Sequence, residues 1–471
     1  AVLADAAALQ PSPSGLHPVR RMKFRRWMLP PILLLTVVGL SQPPETAPAA
    51  AATRSPIRHI VVLYMENHTF NNVLGKLCVD NQRCEGTTTG QLSDGSSIPL
   101  SRATDITPAI GHGTAAVQHA INGGAMNGFD TVLHCGASDG HPCYSQFDPT
   151  QIPNLAALAL AFVISDQTFN SDVYSSWVSH IALVTSTKDG FYGNIPQVSD
   201  FHARGPGWGC DSYMDAKWVP PDSTSYILVP ACIPAQDGSG PYRDSPVPWV
   251  PTIMDRMDAA GRSWRIDGGM GTEDTSVGTG YAWTTCPAFA ECLYTSQVKH
   301  LVPASQILVQ AQRGNLPRLA LVIPTFKDSQ HNNVSMARGD NFIGSVVGAL
   351  MAGPQWSSTA VFITYDDCGC FYDEVDPPAG MGLRSPMVIV SPYAKRGYTD
   401  SNIASTNSIL AFIEHNLNLA PLGTGDASAY DYSQSFDYTQ HSPAIPQMTH
   451  AVIPPSERRR LARHPGREGV T

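Results

Sequence analysis

Four acidic side chains fall within nine residues of this chain: Asp366, Asp367, Asp373 and Glu374, in ITYDDCGCFYDEVDPP, residues 363–378. Like charges that close favour protonation unless water or a cation offsets them. A solvated turn is the plain reading of such a pair after a strand. A divalent metal is the other, because hard cations take carboxylate and amide oxygens. Donors of the same kind follow other apolar runs. Glu66, Asn67 and His68 follow HIVVLYM at 59–65, and Lys327, Asp328 and His331 follow RLALVIP at 318–324. The stretch QTFNSDVYSSWVSH, just beyond LAFVISD at 160–166, brings Ser175, Ser176 and His180. Glu66, Asn67, Asp366 and Asp367 together make an oxygen-rich cage for one divalent metal, its identity left open. A serine hydroxyl beside that metal is a competent nucleophile, and nearby histidines can bind an oxyanion or protonate a leaving group. Taken singly, Ser175 and Ser176 read as loop or cap residues and His112, in AIGHGTAA, as a surface histidine.

The elements that must position these residues are near-continuous Val, Ile and Leu runs, the pattern of strands covered on both faces. They are 59–65, 160–166, HIALVTS at 180–186, 318–324, TAVFITYD at 359–366 and PMVIVSP at 386–392. Helical patterns lie between them at 250–264, 339–353 and 405–417, the last opening on Ser/Thr caps. Alternation of this kind predicts an α/β fold, a mainly parallel sheet sandwiched by helices. Ligands of open α/β sheets bind beyond the carboxyl ends of the strands, where the residues above fall. Residues 187–300 hold two stretches rich in Gly, Pro, Ser and aromatics, read as long disulfide-tied loop excursions that form a cap.

The ten cysteines fall into close pairs: Cys78/Cys84, Cys135/Cys143, Cys210/Cys232, Cys286/Cys292 and Cys368/Cys370. No CxxC occurs, so disulfides are expected for the first four, in an oxidising compartment. A Cys-Gly-Cys ring is strained, which leaves the fifth pair open. Residues 1–52 carry paired arginines, an apolar run from Leu29 to Leu40 and small residues at 47–52. That segment reads as a signal peptide and leader, with a retained membrane anchor as the alternative. The expected catalytic domain is 53–450, followed by a flexible basic tail at 451–471. Without residues 1–52 the chain keeps 25 basic and 37 acidic side chains, a net charge of −12. So acidic a surface has no general attraction for nucleic acid. No amphipathic membrane-binding helix stands out, so membrane contact is expected to be transient at most.

Taken in order, the segments resemble a bacterial phosphoesterase family that includes secreted phospholipases C and a metal-dependent acid phosphatase, with a core similar to alkaline phosphatase. The resemblance runs from about Ile57 to Leu422. It rests on IRHIVVLYMENHTFNNVLG, HAINGGAMNGF, DQTFNSDVYSSWVSHIALVTST, GNLPRLALVIPT, ITYDDCGCFYDEVDPP, GLRSPMVIVSPYAKRGYTD and STNSILAFIEHNL. It implies metal ligation by Glu66, Asn67, Asp366 and Asp367, with Ser176 as a nucleophile that also touches the metal. It implies phosphate-pocket roles for His112 and His331, and makes His180 a further catalytic candidate. The chain departs from the family after Ser176, where Pro-Asn is usual and Val178-Ser179 stand here, which keeps Ser175 open. It also departs at Cys370 and Glu374, where the family has Gly and His, and at TTCPAF (284–289), which lacks a histidine.

The resemblance therefore implies a secreted or extracytoplasmic metal-dependent phosphoesterase working through a serine nucleophile. Its partner would be a phosphate-ester substrate, a small molecule or a phospholipid headgroup, of acid phosphatase or phospholipase C type. The missing histidines leave an alternative, a non-catalytic secreted binding protein that kept the fold. A two-carboxylate glycosidase is a third reading, which adjacent Asp366 and Asp367 do not by themselves support.

Overall fold

The computed structural model describes residues 55–198, 205–270, 280, 281, 283–440 and 445–463, with the backbone alone at 197, 198 and 460–463. The expected leader, residues 1–52, lies outside them. An eight-stranded sheet organises the rest. Its strands in chain order are β1 (His59–Met65), β2 (Val163–Ser165), β3 (Trp264–Asp267), β4 (Leu301–Val302), β5 (Leu319–Val322), β6 (Thr359–Tyr365), β7 (Met387–Val390) and β8 (Tyr398–Asp400). Across the sheet they run β4-β3-β5-β1-β6-β7-β2-β8. All neighbours are parallel except where β7 lies antiparallel to both β6 and β2. The central strands β5, β6 and β7 are buried at every position, and β1 at all but His59. This is why they read as unbroken apolar runs, since both faces are packed. Helices flank the sheet in two packed groups. One is Pro153–Ala161, Gln306–Arg313 and Met336–Ala352; the other is Ser176–Thr185, Ile253–Ala259 and Thr406–Leu417.

Register decides what the sheet presents at its carboxyl edge. Met65 of β1 lies opposite Tyr365 of β6. Glu66-Asn67 and Asp366-Asp367 therefore leave the sheet side by side. On the other flank of β1, Leu63 pairs with Val322 of β5, whose outgoing loop carries His331.

Three sequence expectations change. HIALVTS, expected as a strand, instead gives residues 180–185 of helix Ser176–Thr185, every residue of which is buried, and its C-cap Ser186. A helix buried all round, its few polar residues included, has little amphipathic signature, and a short apolar run cannot be told from a strand by period. The region 187–300 is not loops alone. It holds a three-stranded antiparallel sheet, Phe191–Val198, Met214–Trp218 and Ile227–Pro230, and supplies strand β3 to the main sheet, while helix Ile253–Ala259 falls within the helical pattern expected at 250–264. Finally, Pro455–Arg463, within the expected tail, is helical, and its Glu457 Oε2 accepts the Ile106 N–H at 2.7 Å.

The disulfides Cys78–Cys84, Cys135–Cys143, Cys210–Cys232 and Cys286–Cys292 are formed as the spacing predicts, while Cys368 and Cys370 are buried thiols. Among the described residues no helix is long and apolar enough to cross a membrane.

Candidate active site

Asn67 begins the site with its backbone. Its φ of +57° is left-handed, a region that asparagine enters more readily than most residues. The turn aims the Asn67 N–H at Asp366 Oδ1, 2.9 Å away. Glu66, Asn67, Asp366 and Asp367 are all 1% exposed or less. Burial first, then the charges of Asp367 and Glu66, push the Asp366 carboxyl well above the ordinary carboxylate range; burial raises Asp367 as well. The chain has thus placed acids where water cannot offset them.

Ser176 opens helix Ser176–Thr185 at its N-terminus, with Ser175 as the preceding cap residue. Its hydroxyl lies 3.0 Å from Asp367 Oδ2 and 3.2 Å from the Asn67 amide oxygen. Its N–H donates to Asn194 Oδ1 at 3.2 Å, from the first strand of the three-stranded sheet. Ser175 is buried too, but its hydroxyl has no partner among the described residues. Of the two serines, Ser176 is the one that reaches the acids.

The Asn67 amide bears on whether a metal fits. One end lies 3.1 Å from His112 Nε2 and 2.7 Å from His331 Nε2. The other faces Asp366 Oδ1, both Asp367 oxygens and the Ser176 hydroxyl, at 2.9 to 3.3 Å. Counting hydrogen bonds within the protein alone favours the NH2 on the acidic side. The rings argue the other way. His112 Nδ1 faces the Ile110 carbonyl at 2.7 Å and His331 Nδ1 the Asn332 carbonyl at 2.8 Å, so each Nδ1 carries a proton. Burial, then the His112 ring, holds His331 below the usual imidazole value, so it is neutral and its Nε2 accepts. The NH2 end belongs with the two rings. The amide oxygen then lies among carboxylates, with the Ser176 hydroxyl as a donor beside it, an acceptor-rich pocket that a cation would satisfy. The donor set fits a divalent metal.

His180 lies behind this cluster. Its Nε2 is 3.0 Å from Glu66 Oε1 and 4.0 Å from Asp366 Oδ2, and its ring packs edge-on to Tyr64. Burial lowers it to about 4 despite Asp366 and Asp367, so it is a neutral donor that holds Glu66. Glu66, His180 and Asp366 each bring one ligand atom, all within 4.8 Å of one another.

The second acidic pair has a different offset. Arg384, fully buried, donates from Nε to Asp373 Oδ1 at 2.8 Å, from Nη2 to Glu374 Oε1 at 3.0 Å and from Nη1 to the Asp166 carbonyl at 3.0 Å. Its guanidinium also stands 4.7 Å from the centre of the Phe70 ring. So the four crowded acids divide: Asp366 and Asp367 face the acceptor-rich pocket beside Asn67, Asp373 and Glu374 an arginine. His68 is a structural pin, bonded to Asn72 Oδ1 at 2.7 Å and the Gln330 carbonyl at 2.9 Å. Asp328 pairs with Arg338 at 2.6 Å and is not part of the Glu66, His180 and Asp366 group. In TTCPAF, Thr284 and Thr285 are buried, and their hydroxyls have no partner among the described residues. Sequence reasoning missed Arg384 and Asn194. Arg384 stood in a quoted segment, GLRSP, with nothing to mark it as the partner of acids ten residues away. Asn194 gave no signal.

With this geometry in view, the chain belongs to the Phosphoesterase family, whose model matches residues 57–420. It is similar to a non-hemolytic phospholipase C of Burkholderia pseudomallei, 26% identical over 86% of this chain and 62% of the relative. It is also similar to non-specific phospholipase C1 of Arabidopsis thaliana, 23% identical over 80% of this chain and 68% of that protein. The chain thus spans about three fifths of the Burkholderia relative's length. A solved structure of an alkaline phosphatase superfamily protein from Vibrio parahaemolyticus shares 14% identity at a TM-score of 0.33, covering 60% of this chain and 66% of that one.

Proposed function

We propose that this protein is an extracytoplasmic, metal-dependent phosphoesterase with Ser176 as its nucleophile. The observation that carries the reading is the Ser176 hydroxyl, 3.0 Å from Asp367 Oδ2 at a helix N-terminus, beside the acceptor-rich pocket of Asn67, Asp366 and Asp367. Glu66, Asn67, Asp366, Asp367 and Ser176 would hold the metal. Bound there, it would polarise a phosphoryl oxygen and favour the alkoxide of Ser176.

The chain's own groups account for the rest. Asp367 Oδ2, the nearest acceptor, takes the Ser176 proton as Oγ attacks phosphorus in line and the ester oxygen departs. Water then cleaves the phosphoserine ester. The Asn67 amide couples the acids to His112 and His331, whose rings wall the side where a phosphoryl group would sit. His180 acts as a positioning residue through Glu66. Glu374, placed where the resemblance expects a histidine, is held by Arg384 and supplies no positive charge. With fewer cationic groups, binding of a dianionic monoester is weakened, and the named relatives are phospholipases C. A phosphodiester of phospholipid-headgroup type is therefore the substrate class proposed here.

The test is release of nitrophenol from a phosphocholine diester and from a phosphate monoester, with and without EDTA, beside Ser176→Ala. Diester turnover lost with either change supports the reading. Turnover that survives EDTA would overturn the metal, and turnover that survives Ser176→Ala would overturn the nucleophile.

A further inference from the structure

The mechanism leaves Cys368 and Cys370 unused. The other eight cysteines are all in disulfides. These two are buried thiols whose sulfurs stand 3.1 Å apart, and the Cys370 N–H points at Cys368 Sγ, 2.9 Å away. They sit on the site itself. Between them the Gly369 N–H donates to Asp367 Oδ1 at 2.8 Å, while Asp367 Oδ2 faces Ser176. Gly369 and Cys370 are consecutive left-handed residues, at φ +48° and +51°, the second a conformation that costs a cysteine more than a glycine. The turn is wedged tightly as well: a Cβ at Gly369 would collide with the Asn67 carbonyl oxygen. Beside it the buried Asn332 side chain has no hydrogen-bond partner at either end among the described residues.

We propose that Cys368 and Cys370 form a redox modification site, a dithiol that closes to a disulfide and in closing loosens the hold on Asp367. Drawing the sulfurs from 3.1 Å to a bonded separation of about 2.05 Å requires torsions in 368–370 to change. The wedged turn offers no slack, so the Gly369 amide, part of the same short ring, turns away from Asp367 Oδ1. The oxidant is a disulfide of the glutathione type. Two thiols pass two protons and two electrons to it, one S–S bond forms in the protein, and the oxidant leaves as two thiols. Both sulfurs are buried, so exchange proceeds when the loop opens.

The coupling to cation binding rests on the reading of the site given above; the disulfide itself does not. The experiment uses the folded protein, incubated in mild denaturant with reduced or with oxidised glutathione and returned to buffer. Thiols are counted after full denaturation, disulfides are mapped by peptide mass, and Mn2+ binding is measured by calorimetry. Two thiols are expected in the reduced form and none in the oxidised form, with a Cys368–Cys370 linked peptide. Loss of one hydrogen bond to a carboxylate predicts an Mn2+ dissociation constant about tenfold higher in the oxidised form. Cys370→Gly, which suits the left-handed backbone, should bind Mn2+ equally after either treatment. Two free thiols in both forms would overturn the modification site. A linked peptide with unchanged Mn2+ affinity would overturn the coupling. No Mn2+ binding in either form would sink the site reading and the coupling with it, leaving the thiol count to decide the disulfide.

Discussion

Replacing Arg384 by methionine tests the account of the acidic loop most severely. The arginine is fully buried and so is Asp373, with Nε to Oδ1 at 2.8 Å. Removing one partner of a buried pair costs about 3–5 kcal/mol, chiefly because the remaining charge is stranded. Unfolding entropy near 2.1 cal/mol/K per residue, over a unit of about 400 residues, converts each kcal/mol to about 1.2 °C. The expected fall in Tm is therefore about 4–6 °C at pH 8. Acid should relieve it. Burial, then Asp373, raises Glu374 to about 7, while Arg384 pulls the other way. An acid held above its unfolded value near 4.5 weakens the fold as pH rises between the two values. Taking Arg384 away raises Glu374 further and carries that loss on to higher pH. Scanning calorimetry of the wild type and Arg384→Met at pH 5 and pH 8 should show a smaller difference at pH 5. The triple variant with Asp373→Asn and Glu374→Gln should recover part of it at pH 8. A shift below about 1 °C, or equal shifts at both pH values, would refute the stranded-charge argument.

Other outcomes follow from the same contacts. Ser175→Ala should keep diester turnover and change stability by less than about 1 kcal/mol, since its hydroxyl bonds nothing among the described residues. A dead Ser175→Ala beside an active Ser176→Ala would move the nucleophile by one residue. His180→Ala should raise the Mn2+ dissociation constant about tenfold through loss of the bond to Glu66, and His180→Gln, which can still donate, should restore much of it. Equal loss of turnover in both, with Mn2+ affinity intact, would make His180 a proton donor instead. Asp267, fully buried at the end of β3, is raised to about 8 by burial. Asp267→Asn should gain on the wild type in urea titrations from pH 4 to 8 and level off above, and a gap independent of pH would refute that shift.

How much the sequence disclosed depended on how local each cause is. β1 and β6 were legible with their ends, because a strand packed on both faces is an apolar run and an acid, Glu66 or Asp366, is the first polar residue beyond it. Helix Ser176–Thr185 was not, since burial on every side removed the period that would have named it. The three-stranded sheet hid in Pro- and Gly-rich sequence; Met214–Trp218 alternates inward and outward over only five residues. The four disulfides were legible because each closes a short loop. The Arg384 clamp was not, because its geometry comes from a turn between Glu374 and β7 that pattern does not encode. Even the acids misled in one respect: four together suggested a common cause, and the fold supplies two.

Asn67 serves two demands at once, and that affects how the site can change. A left-handed backbone at φ +57° admits glycine, asparagine and aspartate with least strain. The side chain must also offer an oxygen to one neighbour and two N–H groups to others, which only an amide can do. Aspartate meets the first demand and fails the second; glutamine does the reverse. No single substitution keeps both, so the position has no neutral neighbours in sequence space. Comparing Asn67→Gly, which spares the turn, with Asn67→Gln, which spares the amide, would divide its importance between backbone and side chain.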